Sequence, residues 1–186
     1  MNPIDIIVEL YAPGSKAYHI LIQHGQQVAH KAVAVAKKIP HLKPDLDFIK
    51  EAAMLHDIGI FMTNSPELGC TGEYPYVCHG YLGRKILENR QLPAHALVCE
   101  RHVGVGITLE DVRHLSFPEQ REMVPVSTEE QIVCYADKFF SKNGKTAAKE
   151  KSVEEIKCGL ELYGHDKILK YDKILKFQLW ADLFGE

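Results

Sequence analysis

The sequence lacks four features, and each absence excludes a class of protein. Its five cysteines are scattered singly, without a Cys-x-x-Cys pair, so we expect reduced thiols that pack as small core residues. Its apolar runs are far shorter than the roughly 20 residues of a membrane-spanning helix, and we expect no membrane partner. It has no cluster of basic residues and a net charge of −3, so nucleic acid is not an expected partner. Its first residues contain no basic leader, and the expected location is the cytoplasm.

Helix signals dominate what the sequence does contain. The 186 residues are 46% hydrophobic and 25% charged, which fits one globular domain, 1–186, with a buried core. Alternating strand patterns are nearly absent. Helix start signals recur along the chain, and they are Asn2 with Pro3, Ser15, Asp45, Pro93, Ser127 with Glu130, and Ser152 with Glu155. We predict an all-α fold, an irregular multi-helix bundle whose last helices occupy 150–186, with irregular segments at 62–75 and 103–126.

An ionisable pair interrupts the apolar stretch AAMLHDIGIF, 52–61. His56 and Asp57 lie side by side there, and Gly59 follows. If the helix that starts at Asp45 continues to about Ile58, both side chains leave a single turn toward the core. The pair then has the placement of two adjacent metal ligands on a rigid helix, with the glycine letting the chain turn away.

Four further polar side chains are predicted on inward helix faces. His24 shares a face with Leu21 and Val28, and Asp137 shares one with Val133. A single inward histidine is more often a core residue with a hydrogen-bond partner than a ligand, but a buried carboxylate without a counter-charge is costly. One metal centre accounts for all of these side chains together, and the candidate ligands are His24, His56, Asp57, His79, His102 and Asp137. Without a metal, burial and like charge would raise the pKa of both aspartates.

The ordered set His24, His56–Asp57 and Asp137 resembles the HD-domain superfamily of metal-dependent phosphohydrolases. LHDIG at 55–59 has the form that names the HDIG subgroup of that superfamily. The resemblance covers about 20–142 and includes the stretches CERHVGVGI and YADKFFSK. It implies an HD-domain-like helical fold for this part of the chain.

The resemblance also implies a centre with two metals, because His79 and His102 match the members of the superfamily that hold two. It assigns His24, His56, Asp57 and Asp137 to the first metal, and His79 and His102 to a second metal that Asp57 bridges. Nitrogen and oxygen ligands suit Fe, Mn, Co, Ni or Zn and disfavour Mg, so the expected cofactors are two divalent transition-metal ions. Two such ions, about 3.5–4 Å apart, activate a water and clamp an attacked phosphate. Asp57 is therefore an expected catalytic residue.

Two cations and two glycines are candidates for contact with a substrate. Lys138 directly follows one of the candidate ligands and Arg101 directly precedes another, so either could neutralise a phosphate. Lys138 is the expected catalytic residue of the two, and a solvated charge at a helix edge is the alternative for both. Gly104 and Gly106, in RHVGVGIT, could present backbone N–H groups to an anion or could form a flexible turn.

Three further features bear on the same site. Many members of the superfamily have lysine where this chain has Ile60. His95 shares a helix face with His102 and is a spare candidate ligand. The segment 62–75 is either a flap over the metals or an ordinary surface loop. The remaining histidines are expected at the surface, and they are His19, His30, His41, His114 and His165.

The resemblance implies an enzyme, a metal-dependent phosphohydrolase that cleaves a phosphoester or phosphoanhydride with a metal-activated water. The expected partner is a small phosphorylated substrate, a nucleotide. Two alternatives stay open at this point. One is a di-iron oxygenase of the same fold that acts on a phosphonate or polyol, and the other is a non-catalytic regulatory module that binds metal and nucleotide. The sequence gives no indication of the oligomeric state.

Overall fold

A computed structural model describes residues 1–115, 117–142, 149–162 and 167–185, the last range without the side chains of 167–169. The helices in these ranges are α1 (Pro3–Leu10), α2 (Lys16–Lys38), α3 (Leu46–Leu55), α4 (His79–Glu88), α5 (Pro93–Arg101), α6 (Leu109–His114), α7 (Thr128–Asp137), α8 (Val153–Leu160) and α9 (Lys167–Phe184). Two short antiparallel strands, β1 (Asn64–Ser65) and β2 (Cys70–Thr71), pair Asn64 with Thr71. The predicted all-α fold is confirmed. No helix in the described ranges is long and apolar enough to cross a bilayer.

The helices start where side chains satisfy their first backbone N–H groups. The Ser15 hydroxyl accepts a hydrogen bond from the Tyr18 backbone N–H at 3.2 Å, and Ser152 and Glu155 form the predicted reciprocal capping box. The box predicted at Ser127 forms only in half, since the Glu130 carboxylate bonds elsewhere. These caps fix the ends of the long helices and therefore the depth at which their side chains enter the core.

The helix α3 ends at Leu55, about three residues before the predicted end, so the His-Asp pair lies in a tight turn rather than on a helix. In that turn the Ile60 backbone N–H donates to the Asp57 carbonyl at 3.0 Å. The predicted role of Gly59 is also corrected, because its φ of −83° is open to any residue. A Cβ at Gly59 would instead collide with the carbonyl oxygen of His79. The glycine therefore lets the turn lie directly against α4.

The main core forms where α2 packs on α3 and α7, and α9 covers it. The Tyr135 ring on α7 stacks on Phe177 of α9 with centroids 5.0 Å apart, and the Phe184 ring lies 5.1 Å away. The last helix therefore belongs to the same core as α2 and α7, although the family resemblance stops near 142. The extent of the chain as a single domain stays a prediction.

The remaining predictions about the surface have mixed outcomes. His19, His30, His41 and His114 are exposed, and His165 lies outside the described residues. Four of the cysteines are buried, whereas Cys158 is exposed on α8, so the prediction of core packing is wrong for that residue. In the segment 62–75, Leu68 and Cys70 pack against the first turns of α2.

Candidate metal centre

Six buried side chains from five elements converge between the helices. They come from the middle of α2, the turn after α3, the start of α4, and the C-terminal ends of α5 and α7. None is more than 7% exposed, and they are His24, His56, Asp57, His79, His102 and Asp137. Their ligand atoms form three overlapping groups in which all atoms lie within 4.8 Å of one another. The six candidate ligands predicted from the sequence are thus brought together.

The Asp57 carboxylate lies between two halves of this cluster. Its Oδ2 atom lies 3.4 Å from His24 Nε2 and 3.2 Å from His56 Nε2, and its Oδ1 atom lies 3.3 Å from His79 Nε2 and 3.4 Å from His102 Nε2. Each oxygen therefore faces a different pair of histidines.

The Asp137 carboxylate completes the first half only. Its Oδ1 atom lies 2.8 Å from His24 Nε2 and 3.4 Å from His56 Nε2. Two ligands of one ion, each about 2.1 Å from it and 90–110° apart, lie about 3.0–3.4 Å from each other. The spacings in the cluster are close to this range, so these donor atoms fit a divalent ion.

Backbone carbonyls fix the orientation of three of the imidazole rings. The Nδ1 atoms of His56, His79 and His102 lie 2.6–2.7 Å from the carbonyl oxygen three residues earlier in the chain. A carbonyl oxygen only accepts hydrogen bonds, so each Nδ1 carries a proton and donates it. Each ring therefore turns its Nε2 toward the cluster, and this atom can bind a metal when it carries no proton.

Buried acceptor atoms in the cluster have no hydrogen-bond donor. The Oδ1 atom of Asp57 and the Nε2 atom of His56 are buried without a hydrogen-bond partner, whereas Lys142 reaches the other oxygen of Asp57. Such groups are costly unless a cation or a donor meets them. The orphaned atoms and the donor set together indicate divalent metal binding by this cluster.

The charges in the cluster overturn the expectation of raised carboxyl pKa values. Burial raises the pKa of Asp57, but His56 and Lys142 outweigh it and bring the pKa well below the usual range. Burial likewise raises the pKa of Asp137, and Lys138 and Lys142 more than reverse it. The sequence-based expectation is wrong because it counted the two carboxylates against each other and left out the cations beside them.

The histidines are shifted in both directions. Burial lowers the pKa of His24 to about 4 and that of His102 to about 3. Burial also lowers the pKa of His56, but the neighbouring Asp57 and Asp137 outweigh it and raise the pKa to about 9. The histidines of this one cluster therefore differ widely in how readily they lose the proton that an ion would replace.

Two lysines reach the cluster from the end of α7. Lys138 Nζ lies 2.6 Å from Asp137 Oδ2 and donates to the His102 carbonyl at 3.3 Å. Lys142 Nζ lies 2.8 Å from Asp57 Oδ2 and 3.8 Å from Asp137 Oδ1. Sequence reasoning missed Lys142, since it follows the end of the helix and no helical spacing links it to the ligands.

The other predicted substrate contacts find no support in the geometry. Arg101 donates to both carboxylate oxygens of Glu130, at 3.0 and 2.9 Å, and its substrate role stays a prediction. The expectation of a free N–H at Gly106 is wrong, because that group donates to the Val103 carbonyl at 3.0 Å. Gly104 is exposed with a φ of +63°, and its anion contact also stays a prediction.

His95, the spare candidate ligand, makes its contacts outside the centre. His95 Nε2 lies 3.3 Å from a carboxylate oxygen of Glu51, and its ring packs edge-on against Phe48 with centroids 4.8 Å apart. It is absent from the groups of metal-type ligands found among the described residues. A shared helix face with His102 therefore does not carry it into the centre.

The helical fold and the buried His-Asp cluster place the chain among metal-binding helical proteins. The model of the HD-domain family matches residues 21–141. The chain therefore belongs to the HD-domain family. The matched range begins three residues before the first candidate ligand, His24, and ends four residues after the last, Asp137.

Two solved structures share the fold across almost the whole chain. The HD domain of the phosphodiesterase PgpH of L. monocytogenes matches with a TM-score of 0.52 at 17% identity. The match covers 98% of this chain and 97% of that domain. The same domain in complex with cyclic-di-AMP has a TM-score of 0.52 at 16% identity, with 100% of this chain and 97% of that domain covered. At such identities the likeness shows the fold.

Similar proteins come from archaea. A protein of Thermoplasma volcanium named tRNA (cytidine(56)-2'-O)-methyltransferase is 29% identical over 175 residues, 94% of this chain and 46% of that protein. An uncharacterized protein of Methanocaldococcus jannaschii is 32% identical over 123 residues, 64% of this chain and 66% of that protein. A Picrophilus torridus protein with the same methyltransferase name is 32% identical over 123 residues, 66% of this chain and 32% of that protein. The chain thus spans less than half the length of the relatives named methyltransferases.

Proposed function

We propose that the protein is a metal-dependent phosphohydrolase with a centre for two divalent transition-metal ions. The observation that carries the proposal is the Asp57 carboxylate, whose two oxygens face different pairs of histidine Nε2 atoms at 3.2–3.4 Å. Membership of the HD-domain family supports it. When bound, two such ions activate a water molecule and withdraw charge from an attacked phosphate.

The chain supplies the two ions with unequal numbers of ligands. The first ion would be held by His24, His56, Asp57 and Asp137, and the second by Asp57, His79 and His102. The site with fewer protein ligands leaves more positions open for water and substrate. The carbonyl partners of His56, His79 and His102 hold these rings in place, so the centre is arranged before an ion arrives.

Lys138 has the position of a residue that stabilises negative charge during the reaction. Its ammonium lies beside Asp137 and the carbonyl of His102, so it is fixed at the border between the two halves of the cluster. The side chain is 14% exposed, and a charge in such a poorly solvated place acts more strongly on a phosphate than one in water. This retains Lys138 as the proposed catalytic residue beside Asp57.

The substrate class proposed is a small phosphorylated molecule, a nucleotide. The solved complex of the L. monocytogenes HD domain with cyclic-di-AMP supports a nucleotide, since that domain has the same fold.

The methyltransferase name of the archaeal relatives points to a different activity. More than half of each of those proteins lies outside the part that this chain matches. We propose that the matched part is the HD domain of those proteins and that methyl transfer belongs to the remainder.

Hydrolysis by the loaded protein under exclusion of oxygen tests the proposal. Protein loaded with Mn²⁺ is incubated anaerobically with a panel of nucleoside mono-, di- and triphosphates, dinucleoside polyphosphates and cyclic dinucleotides. We expect release of phosphate or a nucleoside monophosphate from at least one of them, and none from the Asp57→Ala variant. Consumption of oxygen with a phosphonate or polyol, with every phosphoester left intact, would replace the proposal by the oxygenase alternative. Binding of metal and nucleotide without any turnover would support the regulatory alternative.

A further inference from the structure

Each carboxylate of the metal centre has a poorly solvated ammonium beside it. Lys142 Nζ lies 2.8 Å from Asp57 Oδ2, and Lys138 Nζ lies 2.6 Å from Asp137 Oδ2. The two lysine side chains are only 13% and 14% exposed. Lys142 Nζ also lies 3.8 Å from Asp137 Oδ1, so both carboxylates hold this lysine over the centre.

The same carboxylates are the proposed ligands of the two ions. A carboxylate committed to a divalent cation no longer balances the charge of an ammonium beside it. Two poorly solvated lysine charges would then face the ions across a few ångströms, which is unfavourable unless an anion lies between them. Two lysine charges left without their carboxylate partners favour the binding of an anion with about two negative charges.

Lys142 lines a small cleft that reaches the centre and is otherwise mostly apolar. The cleft into which Lys142 and Asp57 both reach has otherwise apolar walls, among them Ile20, Ile60 and Leu68. Among the described residues that line this cleft, Lys142 is the one cation. An ammonium binds phosphate as a point charge.

We propose that Lys142 and Lys138 together bind a terminal phosphate group with two negative charges. The chain would then select phosphomonoesters and the terminal phosphates of nucleoside di- and triphosphates over phosphodiesters, whose linkage carries one charge. This inference depends on the proposed function and narrows its substrate class. It assigns Lys142 a direct contact with the substrate.

The binding of two simple anions to the Mn²⁺-loaded protein tests this selection. Inorganic phosphate is the dianion probe and dimethyl phosphate the monoanion probe, and titration calorimetry measures both at constant ionic strength. We expect wild-type protein to bind phosphate at least about tenfold more tightly than dimethyl phosphate. Lys142→Gln should lose about tenfold or more in phosphate affinity, since a hydrogen bond to a charged group is removed, with little change for dimethyl phosphate. Lys142→Arg should regain part of the loss.

Controls separate this inference from the proposed function. Lys50→Gln removes an exposed lysine on α3 and should leave both affinities unchanged. Metal analysis of Lys142→Gln should show the wild-type content, because no ligand is lost. Unchanged phosphate affinity in Lys142→Gln, an equal loss for both anions, or loss of metal would overturn the role of Lys142 while leaving the hydrolase proposal in place. A wild-type protein that takes up no Mn²⁺ would overturn both.

Discussion

The Nε2 atoms of His79 and His102 lie 3.0 Å apart, and each also lies 3.3–3.4 Å from Asp57 Oδ1. Both rings donate their Nδ1 protons to backbone carbonyls, of Tyr76 and Cys99 respectively. When both rings are neutral, two lone pairs face each other at hydrogen-bonding distance in a buried place, beside Asp57 Oδ1. A cation that all three atoms bind turns this repulsion into coordination, which explains why the fold holds them so close.

Substitution of single ligands should separate the two ions. His79→Ala or His102→Ala should lower the metal content from about two to about one per chain, because the first ion keeps four ligands. Asp57→Ala should lose most of both ions, because both depend on its carboxylate. Elemental analysis of Mn²⁺-loaded, desalted protein measures this, with His95→Ala as the control that keeps both ions. Equal loss in all three ligand variants would indicate one cooperative site or unfolding.

The two cations predicted beside the ligands should differ in their roles. Lys138→Met should lower kcat by about 10- to 100-fold with a smaller rise in KM, because charge on the attacked phosphate grows toward the transition state. Arg101→Ala should instead lower the melting temperature, since it leaves the buried Glu130 carboxylate without its guanidinium partner. Steady-state kinetics and thermal unfolding of both variants measure the contrast. A loss of kcat in Arg101→Ala as large as that in Lys138→Met would contradict it.

The close approach of the His56–Asp57 turn to α4 should make Gly59 sensitive to a single methyl group. A Cβ there collides with backbone atoms of His79 and Gly83, which a flexible side chain cannot relieve. We expect Gly59→Ala to cost about 2–3 kcal/mol of unfolding free energy and to weaken metal binding. Gly159→Ala is the matched control, because nothing lies within 4 Å of a Cβ there and alanine favours a helix. Chemical denaturation should show destabilisation in the first variant and none in the second.

The pairing of Asp111 with Lys173 should make stability depend on pH. Burial raises the pKa of Asp111, but the bond from Lys173 at 2.8 Å and the Thr108 donors outweigh it and lower the pKa. A lowered folded-state pKa gives stability that is present above the unfolded pKa of about 3.9 and is lost as pH falls through the folded value. Asp111→Asn should therefore cost about 1–2 kcal/mol at pH 7 and progressively less below about pH 4. Asp172→Asn, on the exposed face of α9, is the control.

Thermal unfolding between pH 2 and pH 7 measures that difference. A gap between wild type and Asp111→Asn that stays constant, or that widens toward acid, would contradict the role assigned to the ion pair. The pair joins α6 to α9, so its loss also tests whether the C-terminal helix is tied to the segment after the candidate centre.

Helical spacing and cap residues made most of the candidate centre predictable. His24 lies inside a long helix whose start Ser15 fixes, so its inward direction follows from Leu21 and Val28 alone. Asp137 is on the last turn of α7 and follows from the same reasoning. Both residues needed only local information, which a sequence contains.

Features that depend on tertiary contacts could not be predicted from helical spacing and cap residues. The turn that holds Asp57 results from the approach of α4 to Gly59, and Lys142 enters the centre because the chain bends after α7. The Glu130 carboxylate leaves its predicted cap for Arg101, a residue 29 positions away. In each case the partner is distant in sequence or lies outside a regular helix, so no periodic pattern reports it.

The stepwise addition of Mn²⁺ to metal-depleted protein, with phosphate release followed under exclusion of oxygen, shows how many ions the reaction needs. We expect release to stay low at one ion per chain, to rise with the second, and to level off at about two. His79→Ala should bind about one ion and stay inactive throughout the titration. Full activity with one ion or none, or turnover that requires oxygen, would contradict the assignment of a two-metal phosphohydrolase.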